Sequence, residues 1–244
     1  MSLSITGATA RRILLQLRHD PRTMAMMLLI PSVLMTLLRY VFNSSAAFNH
    51  AAPTLLAIFP FTLMFLITSV TVLRERTTTT LERLMTMPAG KLDILVGYAI
   101  AFGLMTIAQV GIACTISLTL LGLNVTGSVP LLIVIALLDA LLGMALGLFI
   151  SAFARSEFQA VQFMPLIVMP QVLLCGLFVP RDQMATVLQW MSDVIPLTYA
   201  VEALDKVAIS TQVTGTVWRD LIIVAACVLG ALVLGAATLR RRTP

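Results

Sequence analysis

Six apolar runs, each long enough to cross a lipid bilayer, constrain this chain more than anything else in it. They lie at about 23–42, 53–73, 93–121, 130–153, 158–179 and 219–239. A helix needs about 20 mostly apolar residues to cross a hydrocarbon core about 30 Å thick. Within that core the backbone must satisfy its own hydrogen bonds, so each run reads as a helix. The composition agrees. Of 244 residues, 59% are apolar and 11% charged, and the mean hydropathy is +1.00, whereas soluble domains carry about 25% charged residues. One soluble core of this length cannot hide so much apolar surface, and lipid must solvate the rest. Six spans of about 20 residues use roughly half the chain and leave no room for a separate catalytic domain. The expected fold is an all-α integral membrane protein, its spans and their short connections occupying 23–239.

The net charge of +5 points to lipid headgroups rather than nucleic acid, because the basic residues flank the apolar runs. Arg11, Arg12, Arg18, Arg22, Arg74, Arg76, Arg83, Lys91, Arg155, Arg240, Arg241 and Arg242 fall on one side of a six-span topology. Arg39, Arg181, Lys206 and Arg219 fall on the other. Twelve against four places both termini in the cytoplasm, which an even number of spans also requires. The first apolar run is too long for a typical signal-peptide core and reads as an uncleaved span. Before it, within 1–22, Ile13, Leu14 and Leu17 share one helical stripe while Arg11, Arg12, Gln16 and Arg18 lie elsewhere. That pattern predicts a basic amphipathic elbow helix over 8–20, lying in the headgroup layer. Residues 240–244 form a basic tail.

Pro165 and Pro170 predict a break in the fifth span. Beyond it, Met184, Val187, Leu188 and Met191 recur at helical spacing after Asp182. Pro196 then starts a second short helix from Leu197 to Ala208. Neither is long enough to cross, so 180–209 reads as a re-entrant outer hairpin. In the cytoplasmic stretch Arg74-Glu75-Arg76-Thr77-Thr78-Thr79-Thr80-Leu81-Glu82-Arg83-Leu84, Thr79 and Glu82 have capping-box spacing. A short helix over about 79–87 should end before Pro88, with Leu81, Leu84 and Met85 on one face. Spacing alone leaves two readings open: a docking helix for a cytosolic partner, or a capped turn anchored to headgroups.

Asp139 is the one acid deep within a span, where an ionised carboxylate costs about 2.5–3.5 kcal/mol on translocon scales. It must be protonated, paired with another span, or turned to a polar cavity used for cation recognition or proton coupling. Gly143 and Gly147 sit one turn apart and predict a close helix–helix contact. Phe59, Phe61, Phe65, Phe163 and Met164 either line a central path for apolar cargo or pack between helices and lipid. Cys114, Cys175 and Cys227 lie singly in apolar runs, without metal or disulfide spacing. His19 and His50 fall on opposite sides, and no catalytic set gathers at one depth. We expect no catalytic residues and no metal site.

The Arg74–Leu84 stretch resembles the R-E-R-x-x-G-T-L-E-x-L signature after the second span of type-two ABC exporter permeases, the drug and polysaccharide export class. Phe178-Val179-Pro180, then Trp190, then the run from Ile195 and Pro196 through Tyr199 and Glu202 to Leu204, resembles the same family's outer hairpin. Thr79 replaces the usual glycine, and Asp205-Lys206 stands where arginine often follows the leucine. The resemblance implies that Arg74, Glu75, Arg76, Thr79, Leu81, Glu82 and Leu84 couple the chain to a nucleotide-binding subunit. It also places Trp190, Pro196, Tyr199 and Glu202 in the hairpin. This chain carries no phosphate loop, so ATP and magnesium belong to the partner ATPase. The implied assembly pairs two ATPases with two permeases, the second a copy or a homologue, in the plasma (inner) membrane. The expected cargo is a hydrophobic or amphipathic compound such as an antibiotic, moved outward. A lipid or lipid-linked glycan is the alternative cargo, and a non-transporting assembly or sensor protein the alternative class. A phosphate-loop ATPase encoded beside this chain would separate transport from the last reading.

Overall fold

Asp20 makes the first corner. Its carboxylate accepts from the Thr23 N–H at 3.2 Å and from the Thr23 hydroxyl at 2.6 Å, and Pro21 fills the first helical turn, where no N–H is required. These hydrogen bonds hold the Asp20 carboxyl below its ordinary range. A computed structural model describes residues 3–77, 91–212 and 214–238, and in it Asp20 separates α1 (Leu3–His19) from α2 (Pro21–Phe42). Asn43, in the left-handed region at φ 44°, then reverses the chain into α3 (Ser45–Thr77). The connection expected at 43–52 thus shrinks to Asn43 and Ser44. Alanines 46, 47, 51 and 52 are strong helix formers and extend the span outward. At 33 residues α3 is about 50 Å long, well beyond a bilayer core.

Next come α4 (Lys91–Thr119) and α5 (Val129–Ile150), the latter capped by Ser128 with Pro130 in its first turn. Ser156 caps α6 (Glu157–Leu174) through the Gln159 N–H. The expected break at Pro165 and Pro170 does not occur. Both prolines lie inside continuous helix, which a membrane bundle tolerates when its neighbours re-satisfy the freed backbone groups. The chain turns instead at Gly176, whose φ of +103° a side chain would strain. A short 3₁₀ turn (Arg181–Gln183), α7 (Thr186–Val194), α8 (Pro196–Ile209) and α9 (Gly215–Thr238) complete the described residues. Six helices, α2 to α6 and α9, are long and apolar enough to cross a membrane.

The bundle is built round α3. Its broadest contact is with α5, and the two glycines allow it: a Cβ on Gly147 would sit 2.5 Å from the Phe65 carbonyl oxygen, and Gly143 meets the Phe61 carbonyl in the same way. Close backbone approach replaces the hydrophobic drive that lipid cannot supply. α9 covers another side of α5. α8 packs among α3, α5 and α9, burying Leu197, Ala200, Val201, Leu204 and Val207. Its terminal carbonyls are satisfied by Thr126 N–H to Ala208 at 2.8 Å and Gly127 N–H to Val207 at 3.2 Å. α7, by contrast, leaves Val187, Trp190 and Val194 exposed. The apolar stripe of α1 is turned onto α4, with Ala10, Ile13 and Leu17 buried. Gly97 lets this happen, since a Cβ there would meet Thr9 at 2.7 Å. The outer faces of α2, α6 and α9, including Leu29, Val33, Leu166, Leu173, Ile222 and Leu229, stay exposed.

Candidate coupling end and hairpin-end cavity

The chemistry-bearing residues gather at the two ends of α3. At its C-terminal end, Glu75 is 3% exposed and holds two other helices. One carboxylate oxygen accepts from Arg12 Nη2 of α1 at 2.6 Å and from the hydroxyl of Tyr98 on α4. Burial works against the Arg12 charge, but the hydrogen bond and charge of Glu75 outweigh it and keep the guanidinium above its usual range. Arg74 turns the other way and grips Glu157, at the start of α6, through two bonds of 2.9 and 3.1 Å. Arg76 is partly buried, and its Nε and Nη2 have no partner among the described residues. A cavity of about 280 Å³ opens beside this cluster, walled by Ile13, Met26, Leu63, Ile67 and Val161 and reaching Arg74 and Glu75.

Arg74 and Glu75 therefore join α3 to α1, α4 and α6. Thr79, Leu81, Glu82 and Leu84, with the short helix expected over 79–87, lie outside the described residues. Arg12 and Tyr98 as partners of Glu75 escaped the sequence reading. They stand 63 and 23 positions from Glu75, and no local periodicity connects residues so far apart.

At the opposite end of α3 the hairpin closes over a cavity of about 730 Å³. His50 and Thr54 of α3, Cys175 beyond α6, Arg181, and Glu202 and Asp205 of α8 all face it. The Thr54 hydroxyl donates to both Asp205 carboxylate oxygens, at 3.1 and 3.3 Å. Burial pushes the Asp205 carboxyl up to about 6, against the opposing pull of Thr54 and His50. Arg181 pairs with Asp193, and lies 3.7 Å from Glu202. Lys206 bridges Glu202 at 2.6 Å and Asp220 at 3.4 Å. Asp220 is fully buried and also receives Arg219 at 2.7 Å.

Of the expected hairpin residues, Trp190 is exposed on α7 and Pro196 opens α8. Tyr199 ties the two helices by donating to the Asp193 carbonyl at 2.6 Å. Phe61 and Phe65, for which the sequence leaves both a cargo path and helix packing open, are buried in the α3–α5 seam. Phe59 and Met164 pack against the main core, and Phe163 against Leu73, Ala154 and Ala160. None of these lines either cavity. Asp139 is also fully buried, and neither carboxylate oxygen has a partner among the described residues. Among the described residues Asp139 makes no cross-span hydrogen bond.

Six crossing helices with buried ionic clusters at both ends of the central one define a multi-pass membrane protein. The sequence pattern of the ABC-2 type transporter family matches residues 5–209, and the chain belongs to that family. Curated relatives include ABC transporter G family member 23 of Dictyostelium discoideum, 24% identical over 195 residues, which are 79% of this chain and 28% of that protein. The probable multidrug ABC transporter permease YbhS of Escherichia coli is 26% identical over 177 residues, 72% of this chain and 47% of the relative. The inner membrane transport permease YhhJ of Escherichia coli is 27% identical over 140 residues, 57% of this chain and 37% of the relative. The matched stretch thus spans less than half the length of each. The matched pattern places this chain among membrane transport proteins.

Proposed function

We propose that the chain is the permease of an ATP-driven exporter, moving hydrophobic or amphipathic compounds out across the plasma membrane with both termini in the cytoplasm. ATP binding and hydrolysis are assigned to a separate ABC subunit, present in two copies beside two permeases. The observation that carries this reading is the tie of Glu75 to Arg12 and Tyr98. Residues 79–87 follow directly and are assigned to docking on the ATPase. A displacement there reaches α3 first. Breaking this half-sealed ion pair costs about 2 kcal/mol, so α1 and α4 follow α3 rather than slide past it. α3 is one continuous helix about 50 Å long, and tilting it about its middle by roughly 10° moves each end by about 4 Å. Motion at the ATPase end thereby reaches the hairpin end. The probable multidrug permease named among the relatives supports a drug-type cargo.

The test is reconstitution with the ATPase encoded beside this chain, followed by measurement of compound-stimulated hydrolysis. Glu82→Arg should abolish stimulation and co-purification while membrane insertion persists. Retention of both removes the coupling role from this loop.

A further inference from the structure

The hairpin-end cavity is not explained by coupling or by packing. Its volume of about 730 Å³ falls within the roughly 300–1,000 Å³ of small-molecule sites. Its charges are unevenly satisfied. Arg181 is taken by Asp193 and Glu202, and Glu202 is held from its other side by Lys206. Asp205 is different: its hydrogen-bond donor is the neutral Thr54 hydroxyl, and no cationic side chain lies within 4.0 Å of it among the described residues. Cys175, on the same wall, is within electrostatic reach of both Asp205 and the unpartnered Asp139 of α5. Leu177, Phe178 and Val201 supply an apolar wall beside the polar Gln189 and Thr198. A metal ion would want several converging ligands, yet no group of three His, Cys, Asp or Glu side chains is arranged for one among the described residues.

We infer that this cavity binds a monovalent organic cation with an apolar body, such as a protonated amine, with Asp205 as its counter-ion and Thr54 positioning the carboxylate. A bulky cation suits the site because its charge is weakly hydrated and its body can displace water from Phe178 and Val201. In a partly buried cavity, a carboxylate with no cation beside it attracts such a charge far more strongly than it would in bulk water. The facing groups set the sign of a pH effect. These are His50 on α3, Cys175 after α6, Arg181 and Asp182 in the turn and Glu202 on α8, with Asp139 on α5 behind Cys175 rather than in the wall. As Asp205 takes up a proton near pH 6, the site loses its counter-ion and cation affinity falls. Any use of the cavity as a cargo station rests on the exporter reading above; the binding itself does not.

The experiment compares tetraphenylphosphonium with tetraphenylborate, ions of like shape and opposite charge, binding to the full chain in nanodiscs without an ATPase. Empty discs are subtracted. At pH 7.5 the protein should prefer the cation. Asp205→Asn should weaken cation binding about tenfold, which is about 1.4 kcal/mol, and shift the anion less than about twofold; Asp205→Glu should restore the cation. Phe178→Lys tethers an ammonium at an exposed cavity residue and should weaken the cation by about fivefold, whereas Phe178→Leu should not. With Cys114 and Cys227 replaced by alanine, bound cation should slow alkylation of Cys175. The inference is overturned by equal binding of the two ions, or by unchanged cation affinity in folded Asp205→Asn. Should that variant not fold, unchanged affinity in Phe178→Lys overturns it. These results come without an ATPase, so failure here leaves the coupling reading standing, and failed coupling leaves this inference intact.

Discussion

Glu75 and Arg12 should behave energetically as one unit, and a double-mutant cycle measures this directly. The variants are Glu75→Gln, Arg12→Gln and the pair together. Arg12 Nη2 lies 2.6 Å from the Glu75 carboxylate, but the two side chains differ in environment, being 31% and 3% exposed. A fully exposed pair contributes about 0–1 kcal/mol, and breaking a fully buried one from one side costs about 3–5 kcal/mol. With one partner sealed and the other reaching water, Glu75→Gln should destabilise by about 2 kcal/mol. Its amide keeps a hydrogen bond to Tyr98 but leaves the Arg12 charge without its counter-ion. Once either partner is gone the second change costs little, so the coupling energy should be about 1–2 kcal/mol. Equilibrium unfolding in mixed dodecyl maltoside and sodium dodecyl sulfate micelles, followed by far-UV circular dichroism, reads each corner. Additivity within about 0.5 kcal/mol would refute the cluster as a joint between α1, α3 and α4.

Two further perturbations probe the seam and the cavity. Gly147→Ala drives a Cβ to 2.5 Å from the Phe65 carbonyl and should destabilise by about 1–3 kcal/mol through overpacking. Gly111→Ala, with nothing within 4 Å, should instead gain up to about 1 kcal/mol from helix propensity; equal effects at both sites would discount the seam. Asp205 holds its proton more tightly folded, near 6, than unfolded, near about 3.9. Its contribution to stability is therefore complete below about pH 4 and lost as pH rises through about 6. Asp205→Asn should flatten that decline and unfold no more easily than wild type at pH 7.5, and a less stable variant at that pH would contradict the burial argument.

What was legible in the sequence follows the range of the forces involved. The spans were legible because hydrocarbon enforces length and apolarity residue by residue, and Gly143 with Gly147 marked the seam because small residues serve close packing. The start of α3 was misplaced: hydropathy falls off at 43–52, but alanine propensity carries helix through it. The break in the fifth span was misassigned because proline was weighed by its cost in water, while the bundle absorbed both prolines and Gly176 made the turn. The cluster at Glu75 was half legible. Arg74, Glu75 and Arg76 were flagged by motif, whereas Arg12 and Tyr98 are joined to them only by tertiary packing. Phe61 and Asp139 show the same limit from the other side: chemistry singled them out, but their neighbours decided that one fills a seam and the other has no partner among the described residues.

The arrangement also dictates where the bundle can bend. α3 is gripped at one end by Arg12, Tyr98 and Glu157, along its middle by the glycine seam with α5, and at the other end by Asp205 through Thr54. Sliding α3 along α5 would force the Phe61 and Phe65 carbonyls past the Cβ atoms flanking each glycine, so the two helices must move together. Among the described residues the positive-φ corners beside spans are Asn43 between α2 and α3, Gly122 between α4 and α5, and Gly176 after α6. α2, α6 and α9 are the least buried spans, and of these α9 is the one packed broadly on α5. The stiff unit is therefore α3 with α5, α8 and α9, and a conformational change that respects this packing swings α2 and α6 about Asn43 and Gly176. Gly176 lines the hairpin-end cavity, so such a swing alters the cavity wall without breaking the seam.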